Sequence, residues 1–166
     1  MKPETLEALD QSIAHWEDIA NLKCFDIGSD ACALCTRFNV DGRTASCSLG
    51  DEKCPVFEAT GSVLCGDSPY NAVSKYKYRI LNVADDSVLW INKNRSAQFV
   101  IDFQEAATRE LKFLKSLRIH LQCLMFSTVL SRIVLTTSKK CGKMVSGAIA
   151  QTIEEYICIN YYLPVP

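Results

Sequence analysis

The chain has 166 residues, of which 48% are apolar and 22% charged, and its formal net charge is −1. This length suits one domain, or one domain with an appendage. The apolar content excludes a wholly disordered chain, and the low numbers of glycine (7) and proline (5) exclude a collagen-like or low-complexity protein. The near-neutral charge argues against a protein that binds polyanions by bulk electrostatics alone.

The N-terminal segment predicts the compartment in which the protein works. Residues 1–5 read MKPET and are followed by the acidic side chains of Glu7 and Asp10. A secretory signal peptide instead has a basic start that leads into an unbroken apolar run. We therefore expect a cytoplasmic protein, whose cysteine thiols stay reduced.

Residues 4–20 carry an apolar stripe with the three- and four-residue spacing of one helix face. Its members are Leu6, Leu9, Ile13, Trp16 and Ala20. Pro3 is tolerated at the start of such a helix because its missing N–H costs little in the first turn. The pattern predicts an amphipathic helix that packs on a partner surface, with His15 on the helix surface rather than in a metal site.

Residues 21–72 contain five glycines, two prolines and little sustained periodicity, which is typical of loops and turns. So long an irregular stretch is unusual in a compact domain unless something else orders it. Six of the nine cysteines lie here, between Cys24 and Cys65. Since an odd total disfavours complete disulfide pairing, and a cytosolic cysteine cluster is more typical of metal binding, the segment predicts a zinc site.

The candidate zinc ligands are the five cysteines from the Cys-x-x-Cys pair onward in this segment: Cys32, Cys35, Cys47, Cys54 and Cys65. A Cys-x-x-Cys pair lets two thiolates reach one ion, and zinc takes four such ligands in a tetrahedron. The first two of the five, together with Cys54, are the strongest candidates, and either Cys65 or Cys47 completes the set. Four sulfurs leave no open position for water, so the predicted site is structural rather than catalytic.

Two neighbouring features accompany the motif. Pro55 disfavours the helical region for the residue before it, and therefore predicts an extended backbone at Cys54. Gly50, Gly61 and Gly66 supply positive φ angles to the turns. Cys24 lies eight positions ahead of the first pair and is interpreted as a packing residue.

Residues 73–91 are predicted to form a short β-hairpin. In Lys75–Ile80, strict alternation places the basic side chains on one face and the aromatic side chains on the other. Asp85 and Asp86 then form the turn, and Ser87–Ile91 is the returning strand. A helix through Asn71–Tyr78 is the alternative.

Residues 96–121 show the clearest helical periodicity. The apolar positions are Phe99, Phe103, Ala106, Ala107, Leu111, Leu114, Leu117 and Leu121. The pattern predicts a helix that packs antiparallel to the first one. Residues 121–137 are mostly apolar but contain Arg132, so a buried strand or helix is favoured over a membrane span.

The predicted fold is therefore a small α+β protein in which two amphipathic helices pack around an irregular, zinc-binding, cysteine-rich loop region, with a short hairpin. The predicted domain is 1–120, and 121–166 is an apolar C-terminal extension.

The cysteine motif and its surroundings resemble a family of small cysteine-rich proteins from bacteriophages and prophages that has no settled function. The resemblance covers residues 10–118. It rests on His15-Trp16, Ile27-Gly28-Ser29, Cys32-Ala33-Leu34-Cys35, Cys54-Pro55-Val56, Thr60-Gly61, Cys65, Ser68-Pro69-Tyr70 and a helix like 106–114. The family usually has a second close Cys-x-x-Cys before the proline, whereas six residues separate Cys47 from Cys54 here, which weakens the case for Cys47 as a ligand. The resemblance implies a phage origin and action inside a bacterial cell.

These features favour a non-enzymatic zinc protein that binds a host or phage protein, for example as an inhibitor or regulator of host defence. Nucleic-acid binding is the alternative, because Lys75, Lys77 and Arg79 alternate with Tyr76 and Tyr78 and thereby combine phosphate contacts with base stacking. An enzyme is not predicted, since no phosphate-binding loop, metalloprotease helix or nucleophile elbow occurs. No small-molecule substrate is evident, and a membrane partner is not expected.

Overall fold

A computed structural model describes residues 2–25, 28–38, 46–48, 51–65, 67–81 and 87–141. Within these residues the chain forms six α-helices: α1 (Pro3–Ala20), α2 (Ala33–Phe38), α3 (Pro55–Thr60), α4 (Tyr70–Leu81), α5 (Ser87–Lys93) and α6 (Gln98–Cys141). Short 3₁₀ turns occur at Ser29–Ala31, Ser46–Ser48 and Val63–Cys65. The chain divides into two compact units, Met1–Arg118 and Ile119–Pro166.

The α+β prediction is wrong, because no strand occurs among the described residues and helices account for most of them. Both strands predicted for the hairpin lie in helices, Lys75–Ile80 in α4 and Ser87–Ile91 in α5. The residues predicted to form its turn, Asp85 and Asp86, lie outside the described residues. The alternating pattern covers only six positions and is compatible with either structure, and packing decides between them. The ring of Tyr76 lies 5.2 Å from that of Phe99 and 6.3 Å from that of Phe103, both on α6.

Helix α1 forms as predicted, but its buried face is rotated from the apolar stripe. The buried residues are Thr5, Ala8, Leu9, Ser12, Trp16, Ile19 and Ala20. Leu6 and Ile13, two members of the predicted stripe, are only partly buried. Two hydroxyl side chains therefore take core positions, and both are hydrogen-bonded to the region of α2. This polar contact positions the cysteine motif on α1.

Helix α6 runs antiparallel to α1 within the first unit, as the two stripes predict. The Gln104 side chain donates a hydrogen bond to the carbonyl oxygen of Ala20 (2.8 Å), the last residue of α1. Farther along α6, Arg118 Nε lies 2.6 Å from Asp10 Oδ1, near the middle of α1. The buried side chains of α6 are Val100, Phe103, Ala106, Ala107, Glu110 and Leu114. Apart from Glu110, these side chains are apolar and belong to the core of the first unit.

Beyond residue 121 the helix continues to Cys141, past the end that the sequence predicts. Residues 142–166, the rest of the predicted C-terminal extension, lie outside the described residues. In the part of the chain that the structure describes, no helix has both the length and the apolar content that a membrane span requires.

Candidate metal centre

The first two candidate ligands lie at the start of α2. Cys32 follows the 3₁₀ turn Ser29–Ala31, and its carbonyl oxygen accepts a hydrogen bond from the backbone N–H of Thr36 (2.9 Å). Cys35 lies in the first turn of the helix. The hydroxyl group of Ser12 on α1 lies 3.8 Å from the sulfur of Cys32 and accepts a hydrogen bond from the backbone N–H of Leu34 (3.2 Å). A buried side chain of α1 thus fixes the Cys-x-x-Cys turn.

Cys47 and Cys54 are held together through their backbones. The N–H of Cys54 donates a hydrogen bond to the carbonyl oxygen of Cys47 (3.1 Å), and both residues are buried. Cys54 immediately precedes α3, with φ −61° and ψ 131°, and Pro55 is the first helical residue. This confirms the extended backbone that the proline predicts at Cys54. It also follows the preference of proline for the first position of a helix.

Cys65 is held in a left-handed backbone conformation, with φ +55°. Its carbonyl oxygen accepts hydrogen bonds from both the backbone N–H and the hydroxyl group of Ser68, each 3.1 Å long. A side chain with a Cβ rarely adopts this conformation, which Leu22 shares with φ +59°. Of the three glycines for which the sequence predicts positive φ, Gly61 confirms it with φ +72°, and Gly50 and Gly66 lie outside the described residues. The sequence gives no signal for Cys65.

The five candidate thiols are neighbours. The thiol of Cys35 interacts with those of Cys32 and Cys65. Cys47 interacts electrostatically with both Cys35 and Cys54, and Cys54 interacts in the same way with Cys32. These residues come from four separate segments of the chain, so the fold gathers every cysteine that the sequence singles out as a candidate ligand.

The neighbouring thiols disfavour one another's ionised forms. The hydrogen bond with Cys35, together with burial, raises the pKa of Cys32 far above the ordinary value of a thiol. The hydrogen bond with Cys32 lowers the pKa of Cys35, but the hydrogen bond with Cys65 and burial outweigh it and raise that pKa to about 12. Burial raises the pKa of Cys54 to about 11. Without a bound cation, these shifts favour the protonated, neutral form of the three thiols.

Backbone N–H groups act in the opposite direction at two of the sulfurs. The N–H of Cys35 lowers the pKa of Cys32, and the N–H groups of Phe57 and Val56 lower the pKa of Cys54. In both cases the donor lies two or three residues after the cysteine, at the start of a helix. Such donors stabilise negative charge on a metal-bound sulfur.

Within the described residues, no three or more side chains of His, Cys, Asp or Glu are arranged as the ligands of one ion. The five sulfurs are therefore near one another without converging on a single point. All five are free thiols and none is joined in a disulfide. Rotation about the Cα–Cβ bond moves a cysteine sulfur between staggered positions without moving the backbone.

A polar network fixes the side of α2 that faces α1. The Glu52 carboxylate accepts hydrogen bonds from the backbone N–H of Lys2 (2.7 Å) and from Arg37 Nη2 (2.9 Å). Arg37 Nε donates to the hydroxyl group of Thr5 (2.8 Å). Burial acts to raise the pKa of Glu52, but the hydrogen bonds from Lys2, Thr5 and Arg37 outweigh it and lower the pKa to about 2.

Two further cysteines lie apart from the five. The sulfur of Cys24 is 3.9 Å from His15 Nδ1, a pairing that the sequence does not reveal because nine residues of irregular spacing separate the two. Cys123 lies on α6, in the second unit.

No protein-family model, no curated protein and no solved structure matches this chain.

Proposed function

We propose that this protein is a non-enzymatic, zinc-stabilised interaction module whose cysteine cluster holds one Zn²⁺. The observation that carries the proposal is the gathering of five unpaired thiols from four segments, with backbone N–H groups acting on the sulfurs of Cys32 and Cys54. Zinc is the cation that sulfur-only sites of this kind typically bind.

The proposed ligands are Cys32, Cys35 and Cys54, with either Cys65 or Cys47 in the fourth position. The contact between the thiols of Cys35 and Cys65 supports Cys65, whereas the hydrogen bond between Cys54 N–H and the Cys47 carbonyl supports Cys47. Side-chain rotation is required to bring four sulfurs into a tetrahedron around one ion. The bound ion would join the segments that carry the five cysteines, beside the buried side chains of Leu34, Phe38 and Val56.

Metal analysis of the purified chain tests the zinc site. After expression with zinc, we expect one zinc ion per chain, and we expect Cys35→Ser to lose most of it, because Cys35 is a proposed ligand in contact with two other thiols. Cys24→Ser is the matched control and should keep its zinc, since it removes a partly buried thiol that contacts His15 instead. Wild-type protein without zinc, or equal zinc in both variants, contradicts the proposal.

The interaction role follows from the closed coordination of the proposed site. Four sulfur ligands leave no open position for a substrate or an activated water, so the metal orders the chain and does no chemistry. The motif's resemblance to phage proteins suggests a host or phage protein as the partner, bound in the bacterial cytoplasm to regulate or inhibit it. Affinity purification from a bacterial host tests this, because a specific partner should be retained by wild type and lost with Cys35→Ser.

Nucleic-acid binding has less support. The alternation of Lys75 and Lys77 with tyrosines lies on a helix, where these two positions are about 200° apart around the axis rather than on one face. The ring of Tyr76 packs against Phe99 and Phe103 and is not available to stack on a base.

A further inference from the structure

A thiol and an imidazole ring meet at the end of α1, apart from the five clustered cysteines. The sulfur of Cys24 lies 3.9 Å from Nδ1 of His15 and 4.0 Å from the carbonyl oxygen of the same residue. Cys24 is partly buried, so part of its surface is open to small molecules in solution. The contact places a base beside a nucleophile, which is the arrangement that activates a thiol.

The turn that ends α1 folds the chain back so that these two side chains meet. Leu22 has a left-handed backbone with φ +59°, and its N–H donates a hydrogen bond to the carbonyl oxygen of Ile19 (2.9 Å). The N–H of Lys23 donates to the carbonyl oxygen of Asp18 (2.9 Å). These two bonds form a Schellman motif, in which glycine usually takes the left-handed position. Leu22 takes it here and is only 4% exposed, so burial of its side chain holds the turn.

Helix α6 fixes the chain on both sides of Cys24. The buried ring of Phe25 lies 5.6 Å from that of Phe103 on α6. The next residue of α6, Gln104, donates a hydrogen bond to the carbonyl oxygen of Ala20 (2.8 Å). The sulfur is therefore held beside the imidazole ring by contacts that involve none of the five clustered cysteines.

The imidazole ring of His15 is suited to accept the thiol proton. Its Nε2 atom is buried and has no hydrogen-bond partner among the described residues, so no described donor ties up that nitrogen. The neutral ring that carries its proton on Nε2 presents the lone pair of Nδ1 to the sulfur of Cys24.

From this geometry we infer that Cys24 is a thiolation site, at which a low-molecular-weight disulfide forms a mixed disulfide with the protein and His15 acts as the base. The Cys24 thiol gives its proton to Nδ1 of His15 while its sulfur attacks one sulfur of the small disulfide. The S–S bond of the small molecule breaks, a new S–S bond to Cys24 forms, and the leaving thiolate takes the proton from His15. The Cys24 sulfur is oxidised and the leaving sulfur is reduced, so the reaction requires no other oxidant.

The test mixes the full chain with an excess of glutathione disulfide and follows single cysteines. After an acid quench and alkylation of the remaining thiols, peptide mass spectrometry gives the rate of mixed-disulfide formation at Cys24 and at Cys123, which is also partly buried. We expect His15→Asn to slow the reaction at Cys24 by about tenfold or more, because an amide does not accept the proton, and to leave the rate at Cys123 unchanged. His120→Asn changes the chain's other histidine and should leave the rate at Cys24 as in wild type.

A second measurement uses the wild-type chain alone, in buffer and in urea at the same pH. Unfolding exposes the Cys24 thiol but separates it from His15, so a thiol without a base reacts faster in urea, whereas a thiol assisted by the imidazole reacts faster in the native chain. We expect the faster reaction in the native chain. The inference is overturned by a slower native reaction, by equal rates at Cys24 in wild type and His15→Asn, or by equal slowing at Cys123. None of these results bears on the proposed zinc site.

Discussion

Ser12 is the residue that connects the apolar side of the molecule to the cysteine cluster. It is 1% exposed, accepts a hydrogen bond from the N–H of Leu34 and lies beside the sulfur of Cys32. In Ser12→Ala, the buried N–H loses its acceptor. We expect the free energy of unfolding to fall by about 1–2 kcal/mol, the cost of an unsatisfied buried donor. Urea unfolding at fixed zinc concentration measures it.

Ser116→Ala is the control for this change. The hydroxyl group of Ser116 bonds to the carbonyl oxygen of Phe113 on the exposed face of α6. Its removal should change the unfolding free energy by less than about 0.5 kcal/mol. Equal effects of the two variants would mean that Ser12 does not secure the Cys-x-x-Cys turn.

The Arg37–Glu52 ion pair is a second polar contact that holds α2 in place. It is largely shielded, with side-chain exposures of 26% and 14%, and it ties α2 to the chain before α3 and to the start of α1. We expect Glu52→Gln to lower the unfolding free energy by about 1–2 kcal/mol, because the ion pair is lost and one of the two accepting oxygens becomes an NH₂ group that cannot accept a hydrogen bond. Denaturant unfolding near neutral pH is the measurement.

The exposed ion pair of Lys23 and Asp18 is the control for the Arg37–Glu52 pair. Its side chains are 68% and 52% exposed. Asp18→Asn should therefore cost less than about 0.5 kcal/mol, as is usual for pairs in water. A cost at Glu52 no larger than this would show that the network does not hold α2 in place.

At the scale of elements, the end of α3 depends on a left-handed residue. Gly61 terminates the helix with φ +72°, and its N–H bonds to the carbonyl oxygen of Phe57 (2.7 Å). A Cβ added there meets nothing within 4 Å, so a substitution is opposed only by backbone strain. We expect Gly61→Ala to reduce stability by about 1 kcal/mol, measured by thermal unfolding. Gly61→Asn should cost less, since asparagine tolerates this conformation, and identical losses would point to a different cause.

The sequence predicts the long elements far better than the short ones. Residues 4–20 and 96–121 each offer several turns of consistent spacing, and α1 and α6 begin within two residues of those limits. Helices α2 and α3 have six residues each, which is too few to show the 3.6-residue period of a helix. The sequence therefore predicts loops and turns for the stretch that contains them. The hairpin prediction is wrong for a related reason. The alternating pattern of Lys75–Ile80 fits either a strand or a helix, and the packing of Tyr76 against Phe99 on α6 favours the helix.

At the scale of the whole molecule, the sequence identifies which cysteines gather but not how they are arranged. The Cys-x-x-Cys pair and the three cysteines after it are the five that the fold brings together, whereas the sulfur of Cys24 lies beside His15. The contact of Ser12 with Cys32 and the strained φ of Cys65 arise from tertiary structure, which residue spacing does not encode. The zinc ion and the partner remain predictions.

The proposed metal should order the short helices α2 and α3 more than it orders α6. Helices α2 and α3 are far shorter than the roughly 12–15 residues that an isolated helix needs to be even marginally stable. The buried face of α6 instead rests on aromatic contacts, including Phe103 with Phe25 at 5.6 Å, in which no thiol takes part. Removal of zinc should therefore loosen residues 28–65 and leave α6 largely intact.

Hydrogen exchange measured by mass spectrometry, before and after treatment with a chelator, checks this. We expect amide exchange to accelerate strongly in Ala33–Phe38 and Pro55–Thr60, and weakly in residues 100–114, because the first two segments contain or adjoin proposed ligands and the third does not. Added zinc should restore the protection. An equal loss of protection in all three segments would mean that the first unit unfolds as one cooperative body, with the sulfur cluster and the apolar core inseparable.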